Sequence, residues 1–341
     1  MKFSSLRALR PVPESMTWPA ATGRRNQAVL LSAPRVKESE EGMKTSVTFP
    51  SNGLTLAGHL YTPDTPPEGP SPAVVVGHPA TGVKEQTAAV YAGRLAARGF
   101  VALTFDAAYQ GESEGEPHGL ENPFQRADDF RNAVSYLTTR DDVDPERIGV
   151  LGICSSGGYA PFAAQTDHRM KAIATLSAMD LAGFFKSGDP AGFATMVAEA
   201  GRRRSEEAAG EPATLVSVLP GPDQIDASTP ALVRESVEYY KTPRGMHPRA
   251  TNLWVARSAD QLDQYDSYAH VDKIAPRPLL MIAGTEAATR PFSEQAVARA
   301  GRTAELFDIE GATHVDLYDK DEYVTRAVAK LTEFFGAHLT A

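Results

Sequence analysis

The sequence holds a single cysteine and eight histidines, and the surroundings of the cysteine are those a nucleophile needs. Ile148-Gly149-Val150-Leu151-Gly152-Ile153-Cys154-Ser155-Ser156-Gly157-Gly158 runs from an apolar stretch directly into small residues. A strand that turns sharply into a helix exposes the residue at its apex, and the neighbours two places either side must be small for the turn to close. With Cys154 at the apex, Gly152 stands at −2, Ser156 at +2 and Gly157 at +3. Ser155 would put the bulky Ile153 at −2, and Ser156 would lie two residues beyond the apolar run. A lone cysteine is otherwise a small buried apolar residue; the strand, the glycines and the helix start argue for a nucleophile.

A thiol of pKa about 8.5 is only slightly ionised at neutral pH, so it needs a base, and a helix N-terminus with an imidazolium lowers its pKa by several units. Among the histidines, His314 alone sits just beyond a late apolar run, in Glu310-Gly311-Ala312-Thr313-His314. His59 belongs to an alternating stretch, and His118, His168, His247, His270 and His338 read as loop or surface residues. Gly77-His78-Pro79-Ala80-Thr81-Gly82 follows the third strand, where a second oxyanion-hole donor is placed in such turns. Pro79 has no N–H, so Ala80, or Thr81 beside it, is expected to donate together with Ser155. His78 is expected to hold this loop by hydrogen bonds and to border a substrate pocket with Thr81, Phe184 and Tyr240. For an acid to orient His314, Glu286 and Asp180 follow strands at the right edge; Asp316 and Asp319 read as the start of the last helix.

These groups need a scaffold that ends several strands at one edge. Residues 45–49 and 54–61 alternate apolar and polar around Asn52-Gly53, a hairpin signal. Apolar runs follow at 73–77, 100–105, 148–153, 172–177, 279–283 and 304–309, with helical patterns at 87–98, 124–137, 157–165, 293–300 and 321–335. This alternation predicts an α/β fold with a mostly parallel eight-stranded sheet covered by helices on both faces. Between 177 and 279 the rhythm stops, and the segment carries Phe184, Phe185, Phe193, Met196, Leu215, Trp254 and a solvated run from Arg202 to Glu207. It is expected to be a cap over the carboxyl edge of the sheet, where open α/β sheets bind ligands. The predicted organisation is a flexible extension over 1–42, core over 43–180, cap over 181–270 and core again over 271–341.

The 341 residues carry 34 Lys and Arg against 43 Asp and Glu, a net charge of −9, while residues 1–42 have seven basic and four acidic side chains. So acidic a body disfavours nucleic acid as a partner. No apolar stretch approaches the ~20 residues that span a bilayer, and the leader lacks the apolar region of a secretory signal. One cysteine cannot form an internal disulfide, which points to a reducing, cytoplasmic setting. No metal-ligand spacing or phosphate-binding glycine motif occurs, so no metal and no cofactor is expected.

Taken together, the motifs resemble the α/β-hydrolase superfamily, in its dienelactone-hydrolase-like branch with a Cys nucleophile. The resemblance rests on the elbow from Gly152 to Tyr159 (Gly-Ile-Cys-x-Ser-Gly-Gly-Tyr), on Gly284 to Thr289 followed by Phe292-Ser293-Glu294, and on Gly311-Ala312-Thr313-His314 with Asp316-Leu317-Tyr318-Asp319. The stretch from Tyr239 to Pro248 adds a cap signature. The likeness, running from about Thr45 to Phe335, implies a Cys154–His314 pair with an oxyanion hole near Ala80 and Ser155. It also implies an Asp at the position of Ala288, so the orienting acid is replaced here. The expected function is hydrolysis of an ester, lactone or thioester through an acyl-enzyme at Cys154, with a small-molecule acyl substrate, no membrane partner, and a homo-oligomer left open. An acyltransferase using the same site, or a non-catalytic binding protein because of Ala288, are the alternatives.

Overall fold

The computed structural model describes residues 42–65 and 68–339, so the expected flexible extension before Gly42 lies outside the described residues. Two strands, β1 (Met43–Ser51) and β2 (Leu54–Thr62), pair antiparallel across Asn52-Gly53. Both turn residues have positive φ, 50° and 85°, the conformation that matches a two-residue hairpin to the twist of its strands. Then come β3 (Ser71–Gly77), α1 (Thr87–Ala96), β4 (Val101–Phe105), α2 (Pro123–Leu137), β5 (Val143–Ile153), α3 (Ser156–Ala164) and β6 (Met170–Leu176).

After β6 the chain leaves the sheet through α4 (Leu181–Gly188), α5 (Pro190–Ala208), β7 (Leu215–Ser217), α6 (Ala231–Lys241), β8 (Leu253–Val255) and α7 (Ser258–Asp263). It returns as β9 (Leu279–Gly284), α8 (Arg290–Ala300), β10 (Ala304–Ile309), the short α9 (Asp316–Asp319) and α10 (Asp321–His338). The main sheet has eight strands in the order β1-β2-β4-β3-β5-β6-β9-β10, parallel from β4 to β10. Strands β6 and β9 are neighbours although some hundred residues separate them, which makes the intervening segment an excursion from one sheet edge.

Glycines show how closely the helices sit. A Cβ on Gly77 would lie 2.3 Å from Phe130 Cζ of α2, and one on Gly149 would lie 2.7 Å from Phe335 Cε1 of α10. Gly149 pairs with Val74 and Gly152 with Gly77, so the two close approaches fall three positions apart in register and on opposite faces of the pleat. Helices α2 and α10 therefore cover opposite sides of the sheet. Between them Val74, Val75, Val76, Val150 and Leu151 are fully buried.

The excursion has its own small core. Phe185 packs on Trp254 and Phe193 with ring centroids 5.0 and 6.3 Å apart, and β7 pairs with β8 antiparallel. The charge run on α5 is partly a joint: Arg204 donates to both oxygens of Asp260 on α7, and Arg257 Nε contacts Glu207. A second tie reaches the main domain. Arg244, just after α6, donates Nε and Nη2 to the Asp319 carboxylate of α9 at 2.9 and 2.7 Å. No helix among the described residues is long and apolar enough to cross a membrane.

Candidate active site

Cys154 is the first residue after β5 and has φ +57°, a strained conformation for a side-chain-bearing residue. The turn holds because Gly152 lacks a side chain: a Cβ there would sit 2.0 Å from the carbonyl oxygen of Ser156. Backbone bonds clamp the apex from both sides. Cys154 N–H donates to Leu176 O of β6 at 3.0 Å, and Met179 N–H donates to Cys154 O at 2.9 Å.

Burial pushes the Cys154 thiol above its ordinary value, against the opposing pull of the Tyr318 hydroxyl, the backbone N–H groups of Ser155 and Ala80, and the distant Arg126 guanidinium. The sulfur thus sits where the expected oxyanion donors converge. The sequence led us to expect a thiol lowered by an imidazolium; in the structure burial raises it instead.

The Ala80 loop is anchored from beneath. Ser156 Oγ and Arg126 Nη2 both donate to the carbonyl of His78, at 2.6 and 3.1 Å. Ala107 N–H donates to His78 Nε2 at 3.1 Å and Arg126 Nη1 lies 3.0 Å from the same atom. With donors aimed at Nε2, the proton belongs on Nδ1, which faces Pro79 O at 2.7 Å. Burial and the Arg126 charge hold His78 well below the usual imidazole range. His78 therefore holds the loop, as expected, but the expectation that it borders the pocket is corrected: it is fully buried behind the loop, and the cavity wall is formed by Pro79, Ala80 and Thr81. Arg126 is itself paired, with Nε 3.2 Å from Glu121 Oε1, which also accepts from Tyr159 Oη at 2.8 Å.

His314 lies beyond β10 and is 2 % exposed. Ser177 Oγ donates to its carbonyl at 2.9 Å. Its Nδ1 lies 2.6 Å from Thr289 Oγ1, and its Nε2 lies 3.0 Å from Tyr318 Oη. Desolvation alone depresses its pKa to about 3, since neither nitrogen meets a carboxylate. Neither acid singled out in the sequence is brought there. Glu286 is exposed on the turn after β9, and Asp180 accepts from Ser267 Oγ at 3.0 Å where α4 begins. Asp316 and Asp319 form α9 rather than opening the last helix. In the sequence Thr289 and Tyr318 stand only as members of the Gly284 to Thr289 and Asp316 to Asp319 motifs, and the spacing of four between His314 and Tyr318 was the available signal.

Sulfur and imidazole open onto a cavity of about 140 Å³. Its wall includes Thr81, Met179, Leu181, Phe184, Phe185, Leu232, Val233, Tyr240 and Trp254. Among the described residues, no Asp, Glu, Lys or Arg lines it, and no group of three or more His, Cys, Asp or Glu could hold a metal ion.

An eight-stranded, mostly parallel sheet with a nucleophile-type elbow after its fifth strand and a histidine beyond its last defines an α/β-hydrolase. Residues 56–178 match the Dienelactone hydrolase family. The uncharacterized protein YcjY of Escherichia coli K12 is 38 % identical over 304 residues, covering 86 % of this chain and 98 % of YcjY. The crystal structure of hypothetical protein PA2218 from Pseudomonas aeruginosa superposes with a TM-score of 0.81 at 33 % identity, covering 92 % of this chain and all of that one. The chain belongs to the dienelactone hydrolase family. Two fungal relatives are 26 % identical: thiohydrolase aneE of Aspergillus aculeatus, over 76 % of this chain and 82 % of its own, and acyltransferase drtE of Aspergillus calidoustus, over 83 % and 91 %.

Proposed function

We propose that the protein is a cysteine-dependent acyl hydrolase whose substrate is an ester or thioester with an uncharged, apolar acyl group. The observation that carries this reading is the Cys154 sulfur at a strained strand end, with the N–H groups of Ser155 and Ala80 turned to it. In the proposed reaction Sγ attacks the acyl carbonyl and the carbonyl oxygen becomes an oxyanion on those two donors. Collapse expels the alkoxide or thiolate, which takes up the proton that left the thiol, and leaves acyl-Cys154. Water then attacks the thioester with His314 as base and releases the acid. An acyl group bearing a carboxylate would be desolvated without a counter-charge, since the cavity wall holds none. The fungal relative named a thiohydrolase supports the thioester arm.

The relative named an acyltransferase favours a second reading, transfer of the same acyl group to an alcohol. Incubation with butyryl and hexanoyl N-acetylcysteamine thioesters, read by intact mass and product analysis, tests both. We expect a protein adduct of acyl mass and free acid product, with both lost in Cys154→Ala. Ester product in the presence of alcohol acceptors favours transfer. A wild-type protein that stays unmodified and turns over none of the panel overturns the reading and leaves the binding-protein alternative.

A further inference from the structure

His314 does not stand alone against the sulfur. The Tyr318 hydroxyl lies 3.0 Å from His314 Nε2, reaches the Cys154 thiol, and borders the same cavity as both. Its ring is 2 % exposed and wedged edge-on against Tyr239 and His314, with centroids 5.1 and 5.5 Å away. The backbone of its helical turn is fixed as well. Thr87 Oγ1 donates to Tyr318 O at 3.0 Å, and Tyr91 Oη donates to Leu317 O at 2.6 Å. On the far side, Arg244 holds Asp319. So firmly held a hydroxyl between a thiol and an imidazole is more than packing requires, since a Phe ring would fill the same space.

We propose that Tyr318 is a catalytic residue, the proton relay between Cys154 and His314 in the acyl-transfer reaction put forward above. The relay uses the tautomer in which Nδ1–H donates to Thr289 Oγ1, so that His314 Nε2 accepts from the Tyr318 hydroxyl and Tyr318 Oη accepts from the thiol. As Sγ bonds to the acyl carbon, the thiol proton moves to Tyr318 Oη and the tyrosine's own proton moves to Nε2. The carbonyl π pair becomes the oxyanion held by Ala80 and Ser155. On collapse the imidazolium returns its proton through Tyr318 to the departing alkoxide or thiolate, and the tyrosine ends neutral. No tyrosinate accumulates, in keeping with burial raising the Tyr318 pKa well above its ordinary value.

The test compares wild type, Tyr318→Phe and Cys154→Ala in single-turnover acylation by hexanoyl N-acetylcysteamine thioester, with thermal unfolding as a check on the fold. Loss of a positioned proton-transfer group predicts an acylation rate down about 100-fold in Tyr318→Phe at unchanged unfolding temperature and unchanged KM. A purely structural role would not alter the number of protons in flight. We expect a bowed dependence of rate on deuterium fraction in the wild type, two protons moving together, and a straight one in Tyr318→Phe. Acylation within about threefold of wild type, or faster because Nε2 is freed to meet the thiol, overturns the relay. Should Tyr318→Phe unfold, 3,5-difluorotyrosine at 318 keeps the ring and acidifies the hydroxyl, and an acylation rate blind to that change overturns the relay equally. Wild type left unacylated by every thioester would instead overturn the proposed function, which the Cys154→Ala arm makes recognisable.

Discussion

The partner of His314 Nδ1 is a hydroxyl, Thr289 Oγ1. A hydroxyl can accept the Nδ1 proton or donate to Nδ1, and in either case it supplies no charge to stabilise an imidazolium. Burial, with no charge at Nδ1 to offset it, holds His314 at a pKa of about 3, and burial raises Cys154 above its ordinary value, so the resting site is a neutral thiol beside a neutral imidazole. Alkylation of Cys154 by iodoacetamide, the only thiol in the chain, should then climb about tenfold per pH unit from near pH 6 to 8.5, following the thiolate fraction. Ala288→Asp puts a carboxylate next to Thr289; by favouring the imidazolium it should flatten that profile and raise acylation at neutral pH. A flat profile already in the wild type would mean that an ion pair exists without the carboxylate. Cys154 and His314 were legible in the sequence because small residues after an apolar run, and a histidine beyond the last strand, are chain-local patterns. Thr289 and Tyr318 were not, because a hydroxyl on a turn gains its role only from which side chain the fold brings opposite it.

Four residues with side chains adopt positive φ at the carboxyl edge of the sheet: Thr81 after β3, Tyr109 after β4, Cys154 after β5 and Ser177 after β6, at 56°, 68°, 57° and 46°. The strand ends are thus bent where the site is assembled, and neighbouring small residues make room for the bends. Gly152→Ala tests this most directly, since its Cβ would meet the Ser156 carbonyl at 2.0 Å, a backbone atom with nowhere to go. We expect a loss of at least about 1–3 kcal/mol in urea unfolding, with acylation falling alongside. Gly201 in α5 is the control: a Cβ added there would find nothing within 4 Å, so Gly201→Ala should be neutral or stabilising by up to about 1 kcal/mol. Equal stability of the two variants would remove the steric account of the elbow. All eight sheet strands were legible: the six parallel ones as short apolar runs, and the antiparallel β1 and β2 as an alternating hairpin around Asn52-Gly53. The excursion between β6 and β9 was legible only as a gap. Its strands β7 and β8 have three residues each, too few to show a period, and its helices bury only part of one face against one another.

At the scale of the whole molecule, the chemistry that keeps the site neutral makes the fold acid-sensitive. His314 is buried at a pKa of about 3, and His78 is held well below its ordinary value by burial and Arg126. Below about pH 6.5 the unfolded chain binds protons at these histidines that the native protein refuses, at His314 down to about pH 3. Each therefore removes stability as pH falls, by up to about 1.4 kcal/mol per pH unit. Asp129 works in the opposite direction. Burial raises its pKa to about 6, against the hydrogen bonds from Ser51, Ala108 and Gln125. From about pH 6 down to the ordinary carboxylate range, the native protein keeps a proton there that the unfolded chain loses, so Asp129 adds stability as pH falls. Two variants separate the contributions in urea unfolding at pH 6.5, 5.5 and 4.5. The stability advantage of wild type over His314→Gln should shrink with falling pH, because the wild type alone bears the cost of a buried histidine that resists protonation. Its advantage over Asp129→Asn should grow over the same steps. Parallel pH curves for wild type and His314→Gln would show that His314 takes up a proton in the folded protein, and with it that the neutral resting pair is the wrong starting state for the acylation proposed.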